Sequence, residues 1–280
     1  MTKTRLDQLV FEKGFAESRE RAKALVMSGQ IFLNGHRADK PGMQVDPQAE
    51  VELHGSALPY VSRGGYKLDK ALAVFPVDAC GKICIDCGAS TGGFTDVLLQ
   101  HGASKVYAVD VGYGQLTWKL RNDSRVVNLE RTNLRFVTND MIPEPIDLAV
   151  MDVSFISITL ILPVIKKLLK ENADIICLIK PQFEAGREQV GKKGVVRDPS
   201  VHCQVISSVL DAARSFGYSV QGLDYSPITG PEGNIEFICY LKNELLPEPE
   251  YDIEQIVRSA HSHLRGIKND SSMSKPVSGP

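Results

Sequence analysis

The chain has 280 residues, of which 43% are hydrophobic and 24% charged, and its formal net charge is -2. This composition is ordinary for a soluble globular protein, and the length allows one large domain and one small one. The near-neutral charge excludes nucleic-acid binding through bulk positive charge. The lack of a signal-peptide-like start and of ~20 consecutive apolar residues predicts a cytoplasmic chain without membrane insertion.

Residues 1–59 are predicted to form a small α+β domain. TRLDQLVFEKG and ESRERAKALVMSG have the apolar spacing of two short amphipathic helices, and the first helix ends at Gly14. The next segment has the pattern of short strands joined by a tight turn at Asn34-Gly35. The first 60 residues contain eight basic and eight acidic side chains, so a basic surface depends on their arrangement.

Two adjoining motifs of this domain, R-x-x-A-x-x-L-V-x-x-G and I-x-L-N-G, resemble those of the S4 RNA-binding domain. The resemblance implies that the second helix and the loop after it lie against structured RNA. The alternative interpretation is that these charges form a solvated helix face. The candidate RNA-binding residues are Arg5, Arg19, Lys23, Arg37, Lys40 and, just beyond the domain, Arg63.

From about residue 66 the pattern changes to alternating helices and strands. After a linker at 60–66, helices are predicted at YKLDKALAVF, GGFTDVLLQHG, ISITLILPVIKKLLK and VHCQVISSVLDAARSFG. Strands are predicted at KICIDC, SKVYAVDV, RVVNL, IDLAVMDV and ADIICLIK, with YSVQGLDYS and NIEFICYLK as a closing hairpin. The alternation indicates an α/β fold, a doubly wound, Rossmann-like sheet over residues 67–267. Residues 268–280, which are polar and rich in Pro, Gly and Ser, are predicted to be disordered.

Three of the six cysteines raise the question of a metal site. Cys80, Cys84 and Cys87 read C-x3-C-x2-C, a spacing that resembles the cluster-binding triplet of radical SAM enzymes. However, KICIDCG has the pattern of a buried strand, in which the thiols cannot converge from one loop and free cysteine acts as a small hydrophobe. The sequence therefore predicts no metal site and a reduced protein without disulfides.

The stretch IDCGASTGGFTD follows the first strand of the sheet and opens a helix, which is where α/β sheets bind ligands. It departs from the dinucleotide fingerprint G-x-G-x-x-G, because Ser90 stands between Gly88 and Gly93. S-adenosylmethionine has no pyrophosphate for the backbone to approach, so this loop suits it. Asp86 is then available to the methionine ammonium and backbone N–H groups to its carboxylate.

Asp110 ends the second strand, 24 residues after Asp86. This is close to the spacing at which an acidic side chain meets the ribose hydroxyls, although Asp110 could also cap the next helix. Together, D-x-G-x-S-x-G-G-F-T and V-D-V-G resemble the cofactor motifs of Rossmann-like methyltransferases. The resemblance implies a SAM site formed by Asp86, Gly88, Ser90, Thr91, Gly92, Gly93, Phe94 and Asp110.

Polar residues end further strands of the predicted sheet, where they face a substrate. Asp152 follows AVM, Lys180 ends CLIK, and Glu236 is predicted to lie on the strand GNIEFICYL. Each has a structural interpretation: a helix cap, a strand-end charge and a cross-strand pair. With Lys67, however, the order Lys-Asp-Lys-Glu resembles the K-D-K-E tetrad of FtsJ-type ribose 2′-O-methyltransferases.

A ribose hydroxyl is a weak nucleophile, so a base must withdraw its proton. A lysine can do so only if its pKa is lowered from ~10.4, and burial or a second ammonium can lower it by up to ~3–5 units. We expect Lys180 to be the base, with Lys67 lowering its pKa and holding the hydroxyl. Asp152 would orient Lys180 and Glu236 would position Lys67, although either lysine could be the base.

The segment GREQVGKKGVVRD follows Lys180 and carries four basic residues. These residues, Arg187, Lys192, Lys193 and Arg197, suit phosphate contacts beside an active site. A solvated surface loop is an equally good interpretation.

Taken together, SRGGYKL, DCGASTGGFTD, MDVSFIS, IKPQFE and GNIEF resemble the TlyA (hemolysin A) family. That resemblance implies 2′-O-methylation of cytidine in small-subunit or large-subunit ribosomal RNA, or in both. The alternatives are a membrane-active hemolysin, an RNA-binding module without catalysis and a small-molecule methyltransferase. The modified nucleotide, the oligomeric state and the form of the substrate (naked RNA, subunit or whole ribosome) stay open.

Overall fold

A computed structural model describes residues 3–16, 18–27, 29–53, 59–191 and 193–270. The chain divides into two compact units, Met1–Gly65 and Tyr66–Pro280. The division falls inside the segment predicted as a linker, and the first helix of the larger unit already begins at Gly65.

The smaller unit contains the two predicted helices and the predicted hairpin. Its elements are β1 (Thr4–Arg5), α1 (Leu6–Glu12), α2 (Arg19–Met27), β2 (Ile31–Leu33), β3 (His36–Arg37), β4 (Gln44–Val45) and β5 (Val51–Leu53). Asn34 and Gly35, with φ of 50° and 75°, form the turn between β2 and β3. A two-residue hairpin turn needs positive φ at both positions, which Asn and Gly tolerate best. The core is apolar and includes Leu6, Leu25 and Ile31.

The larger unit is the predicted α/β fold. Its elements are α3 (Gly65–Val74), β6 (Ile83–Cys87), α4 (Gly93–Gln100), β7 (Lys105–Val109), α5 (Trp118–Arg121), β8 (Val126–Leu129), β9 (Ile146–Met151), α6 (Leu162–Ile165), β10 (Leu169–Ile179), α7 (Pro181–Glu184), α8 (Pro199–Ser215), β11 (Ser219–Tyr225), β12 (Phe237–Lys242) and α9 (Ile253–Asp270). Among the described residues, seven strands form one sheet in the order β11-β12-β10-β9-β6-β7-β8. The strands from β10 to β8 are parallel, and β12 and β11 are the predicted antiparallel hairpin.

The two faces of the sheet carry different helices. Cys87, Met151, Ile179 and Phe237 lie in one core cluster with residues of α8 and α9. On the opposite face, Phe75 at the end of α3 packs against Tyr240 of β12, with ring centroids 5.6 Å apart. Because strand side chains alternate between faces, the residue before or after each of those cluster residues points toward the α3 face.

The segment 156–170 is not the single helix that the sequence predicted. It forms a 3-10 turn at Ile158–Leu160, the short helix α6 and a second 3-10 turn at Lys166–Leu168. Pro163 explains the break, since proline lacks an N–H and fits only the first turn of a helix. Strand β10 also begins earlier than predicted, and its pairing with β9 shifts register between Leu169 and Asp174, around Asn172 at φ 62°.

Helix α9 was not predicted. Val257, Ala260 and Leu264 are buried in the same cluster as α8, so a one-sided apolar face holds the helix on the sheet. It continues to Asp270, and the first three residues of the predicted disordered tail are therefore helical. The rest of that tail, 271–280, lies outside the described residues. No helix within the described ranges is both long enough and apolar enough to cross a membrane.

Candidate active site

The strand order creates a switch point between β6 and β9. From β6 the chain adds β7 and β8 on one side, and β9 and β10 on the other. The two strands remain joined where they end, because Asp152 N donates a hydrogen bond of 3.0 Å to Cys87 O. In open α/β sheets, the crevice at the carboxyl ends of the strands beside such a point binds the ligand. Several of the predicted site residues lie at this edge: Asp86 at the end of β6, Asp110 after β7, Asp152 after β9 and Lys180 after β10.

The loop after β6 depends on glycine at two positions. Gly88 has φ 88°, and a Cβ there would lie 2.8 Å from Asp152 O. Gly92 has φ 95°, and a Cβ there would clash with the side chain of Leu120. Between them, Ser90 adopts φ 48°, so the position at which the dinucleotide fingerprint has glycine keeps a left-handed backbone. The loop leads directly into α4.

Asp110 ties this loop to the next one. Its Oδ2 accepts a hydrogen bond of 2.8 Å from Ser90 N, and its Oδ1 accepts one of 2.7 Å from Gly112 N. It does not cap α5, whose N-cap is Thr117. The alternative of a helix cap is therefore wrong for this aspartate. Each of its oxygens keeps a lone pair for a further donor.

Asp86 lies at the end of β6 and is fully buried. Its Oδ2 accepts hydrogen bonds from Thr95 N at 2.9 Å and Thr95 Oγ1 at 2.7 Å. Its Oδ1 has no hydrogen-bond partner among the residues that the structure describes. Burial, which disfavours the charged form, raises the pKa of Asp86 to about 7 despite the bonds from Thr95.

The remaining predicted cofactor residues occupy the same loop and the start of α4. Thr91 is exposed, and its carbonyl accepts a hydrogen bond of 3.3 Å from Thr117 N. Gly93 is the first residue of α4, where backbone N–H groups lack partners within the helix. Phe94 is only 3% exposed, so its ring fills the core beside the loop.

The four residues of the predicted tetrad converge on the other side of the switch point. Lys67 Nζ lies 2.6 Å from Glu236 Oε2 and 3.3 Å from Asp152 Oδ2. Lys180 Nζ lies 2.5 Å from Asp152 Oδ1. Glu236 is fully buried, and both lysines are 6% exposed. The structure thus forms a continuous row of alternating charges, Glu236, Lys67, Asp152 and Lys180.

This row shifts the pKa values of Lys67 and Asp152. Burial lowers the pKa of Lys67, but the carboxylates of Asp152 and Glu236 outweigh burial and raise it above its ordinary value. Burial also raises the pKa of Asp152, but the two ammonium groups outweigh it and lower the pKa of that carboxyl. Asp152 lies between the two lysines, with its Oδ2 3.3 Å from Lys67 Nζ and its Oδ1 2.5 Å from Lys180 Nζ.

Glu236 is positioned differently from the sequence prediction, which placed it on a strand. It lies one residue before β12, and its carbonyl accepts a hydrogen bond of 2.8 Å from Ser226 N. Its Oε1 packs so closely on Gly230 that a Cβ there would clash with it, and it accepts a bond of 3.4 Å from Gln182 Nε2. The Ser226–Gly233 turn is therefore part of the site, although no sequence motif identified it.

The structure adds Ser154 and exposed aromatic residues to the candidate site. Lys180 Nζ donates a hydrogen bond of 3.0 Å to Ser154 Oγ. Large exposed aromatic side chains follow β7, β8 and β9 at the same edge of the sheet: Tyr113, Trp118, Phe136 and Phe155. Arg131 Cζ lies 3.9 Å above the ring of Tyr113. Of these four aromatic residues, only Phe136 has an arginine, Arg135, as its neighbour in the sequence, so the group had little sequence signal.

The residues predicted to bind RNA are all exposed, as far as the structure describes their side chains. Arg5 forms a 2.8 Å ion pair with Asp7, and Arg19 lies 3.8 Å from the same carboxylate. The other exposed side chains of this group are those of Lys23, Lys40, Arg63, Arg187, Lys193 and Arg197. Arg37 belongs to β3, where the structure describes only its backbone, and Lys192 lies outside the described residues.

The cysteine triplet does not converge. Cys84 and Cys87 are fully buried within β6, whereas Cys80 is exposed before it. Burial raises the pKa of Cys84 to about 12, so its sulfur stays protonated rather than becoming a thiolate ligand. The described part of the chain contains no group of three or more His, Cys, Asp or Glu residues placed to hold a metal ion.

Two family models match this chain. The model of the FtsJ-like methyltransferase matches residues 60–243, and that of the S4 domain matches residues 4–51. The sequence is similar to YqxC of Bacillus subtilis, with 51% identity over 96% of this chain and 98% of that protein. It is 44% identical to the 16S/23S rRNA (cytidine-2'-O)-methyltransferase TlyA of Mycobacterium tuberculosis, over 86% of this chain and 91% of that one. A solved structure of a hemolysin candidate from Streptococcus thermophilus is 48% identical, has a TM-score of 0.77 and covers 96% of this chain and 99% of its own.

Proposed function

We propose that this chain, which belongs to the FtsJ-like methyltransferase family alongside the TlyA proteins, methylates the ribose 2′-hydroxyl of cytidine in ribosomal RNA. The observation that carries the proposal is the convergence of Lys67, Asp152, Lys180 and Glu236 at the switch point, next to a glycine-dependent loop. The substrate class comes from the name of the Mycobacterium tuberculosis relative. A ribosomal substrate would place the reaction in the cytoplasm.

The loop side of the switch point suits S-adenosylmethionine. Asp86 Oδ1 is a buried acceptor that lacks a partner among the described residues, and the cofactor's ammonium would satisfy it. Asp110 would accept from the ribose hydroxyls, and the N–H groups at the start of α4 would bind the carboxylate. When bound, the cofactor supplies an electrophilic methyl group on its sulfonium.

The tetrad side supplies the proton transfer. Lys67 lies between two carboxylates that favour its ammonium form, so it serves as a hydrogen-bond donor to the 2′-oxygen. Among the described residues, Lys180 Nζ lies beside one carboxylate, and we assign it the role of the base, which must first release its own proton to solvent and then takes the hydroxyl proton. Asp152 then stabilises the ammonium that forms on Lys180 Nζ. Glu236 holds Lys67 in place.

Local basic surfaces compensate for the chain's net negative charge in RNA binding. The S4 domain presents Arg19 and Lys23 on one face of α2, and Arg5 lies on β1. In the larger unit, Arg131 over Tyr113 and the exposed ring of Phe136 offer stacking surfaces for bases and cations for phosphates. Both surfaces suit a folded RNA with accessible single-stranded nucleotides.

The test measures transfer of tritiated methyl from S-adenosylmethionine to ribosomal subunits of a strain that lacks the modification. We expect label in ribosomal RNA, with one or more sites resistant to alkaline cleavage, and loss of label with Lys180→Ala. Calorimetry should show that Lys180→Ala still binds the cofactor. An absence of label in every subunit, with the cofactor still bound, would instead indicate an RNA-binding module without catalysis. Lysis of red cells by the same preparation would favour the membrane-active alternative.

A further inference from the structure

The loop that follows β9 is strained and held at two points. It covers residues 152–158 and is called the 152–158 loop here. Phe155 adopts φ 63°, a left-handed conformation that is costly for a bulky residue. Its ring is 92% exposed and lies 5.1 Å from that of Phe183. Because the side chain of Phe155 is hardly buried, its packing cannot offset the energetic cost of this backbone conformation. Contacts made by the rest of the loop must therefore maintain it.

Both holding points come from a single helical turn. Lys180 is the N-cap of α7, and its Nζ donates a 3.0 Å hydrogen bond to Ser154 Oγ. Glu184 ends α7, and its Oε2 accepts a 2.5 Å bond from Ser157 Oγ. Its Oε1 accepts a 2.8 Å bond from Ile158 N. The base and this carboxylate thus hold the two sides of Phe155 from opposite ends of α7.

Glu184 is committed to this loop. Both of its oxygens accept hydrogen bonds from it, and the described residues provide no cation within ion-pair distance. Burial raises the pKa of Glu184, although Ser157 and Ile158 act in the opposite sense. A carboxyl group that is costly to ionise, and whose oxygens bind one strained loop, is well suited to holding that loop.

We propose that Glu184 is a positioning residue for the methyl transfer, which fixes the 152–158 loop and thereby the placement of Lys180 Nζ against Asp152. This inference rests on the proposed function. If Glu184 is removed, Phe155 can relax to negative φ and carry Ser154 with it. Lys180 then loses one of the contacts that align it. A displacement of about 1 Å at a reacting group is enough to lower the rate ~100-fold.

The experiment compares Glu184→Ala, Glu184→Gln and the control Glu188→Ala in the full chain, with methyl transfer measured at saturating RNA and cofactor. Glu188 is an exposed glutamate of the following 3-10 turn. We expect kcat to fall about 10- to 100-fold in Glu184→Ala. The Gln variant keeps an acceptor for Ile158 N, so kcat should recover to within about fivefold of the wild type. Glu188→Ala should match the wild type, and all variants should bind S-adenosylmethionine within about twofold.

Two results would overturn the inference. One is an unchanged kcat in Glu184→Ala with an active wild type. The other is a Gln variant that is as slow as the Ala variant at equal Tm. An inactive wild type would instead refute the proposed function.

If the wild type is inactive, the backbone strain at Phe155 can still be tested by measurements of Tm alone. Phe155→Gly should raise Tm by about 2–4 °C, because glycine accepts positive φ. Glu184→Ala should then lower Tm less in the Phe155→Gly background than in the wild type. Equal Tm losses in the two backgrounds would show that Glu184 does not hold the strain.

Discussion

On one side of the switch point the site is built from backbone, and on the other side from charged side chains. In the half proposed to bind the cofactor, called the cofactor half, the Asp110 carboxylate accepts hydrogen bonds from two backbone N–H groups, and Gly88 and Gly92 allow close approaches. In the half proposed to carry out the proton transfer, called the catalytic half, four side chains from distant segments are held by ion pairs. The first half depends on local turn geometry and the second on tertiary packing, so substitutions should affect them differently.

The pKa shifts of the buried aspartates in the two halves are also opposite in sign. Asp152, between two ammonium groups, has a lowered pKa and stays ionised, whereas Asp86, without a cation beside it among the described residues, has a raised one. A buried row of charges is stable only while every member is present, since removing one partner leaves another uncompensated. A glycine-dependent loop instead tolerates loss of a charge but not addition of a side chain.

The largest effect is expected where the row of charges is interrupted. Lys67→Ala leaves the fully buried Glu236 without its nearest cation and should lower the free energy of unfolding by about 3–5 kcal/mol. In the double variant Lys67→Ala/Glu236→Ala, the loss should be smaller than the sum of the single losses. Urea unfolding measures all three. Additive losses would show that the ion pair does not hold the catalytic half together.

Asp86 makes the stability of the cofactor half depend on pH in the direction opposite to that expected for Asp152, because the pKa of Asp86 is raised and that of Asp152 is lowered. Its pKa is about 7 in the folded state against 3.8 for the free side chain, so between those values the folded state keeps a proton that the unfolded state has lost. Stability contributed by this group should therefore fall as pH rises from about 4 to 7, by at most about 4 kcal/mol.

Asp86→Asn carries no charge and should remove this component. The difference in free energy of unfolding between Asp86→Asn and the wild type, measured from pH 4 to 8, should grow in favour of the variant as pH rises. A difference that is constant with pH would mean that Asp86 titrates normally in the folded chain. The halves would then not be distinguished by their electrostatics.

The same contrast explains what could be predicted from the sequence. The cofactor loop is contiguous from Asp86 to Phe94, so its place between a strand and a helix could be predicted from the sequence. The tetrad could be predicted by residue type and by resemblance, because each member adjoins a strand or opens a helix. The contacts of Lys180 with Asp152 and of Lys67 with Glu236 are the two that the sequence predicted. The contact of Lys67 with Asp152 could not be predicted, since the position of Asp152 between two lysines depends on how β9, β10 and α3 pack.

Other features depended on tertiary structure. Glu184 belongs to the stretch IKPQFE, but nothing in the sequence gives it a role of its own, because that role depends on α7 bringing it against the 152–158 loop. The only sequence feature of helix α9 is its apolar face. That face becomes buried because α9 packs against α8 and β11, which the sequence alone does not indicate. Pro163, in contrast, could have predicted the broken helix, because its effect on helices is local.

A smaller effect should separate cofactor binding from turnover. Asp110→Ala removes the acceptor that joins Ser90 and Gly112 and that faces the proposed ribose site. We expect the Kd for S-adenosylmethionine to rise about 10- to 100-fold, which corresponds to loss of charge-assisted hydrogen bonds worth about 1.5–3 kcal/mol. At saturating cofactor, kcat should stay within about threefold of the wild type.

The matched control is Asp211→Ala, at an exposed aspartate of α8, which should change neither constant. If Asp110→Ala lowers kcat at saturating cofactor as strongly as Lys180→Ala does, the two halves do not act separately.

The smallest effect concerns the outer edge of the cofactor half. Arg131 stacks on Tyr113 there and is our candidate for contact with RNA phosphate or a base. Arg131→Ala should weaken RNA binding by about 0.5–1 kcal/mol and reduce the dependence of log K on log salt by about one unit if a phosphate contact is lost. Cofactor affinity should not change. Equal RNA affinity and salt dependence in the variant and the wild type would confine the RNA contacts of this unit to the catalytic half, so that the two halves would differ in ligand as well as in construction.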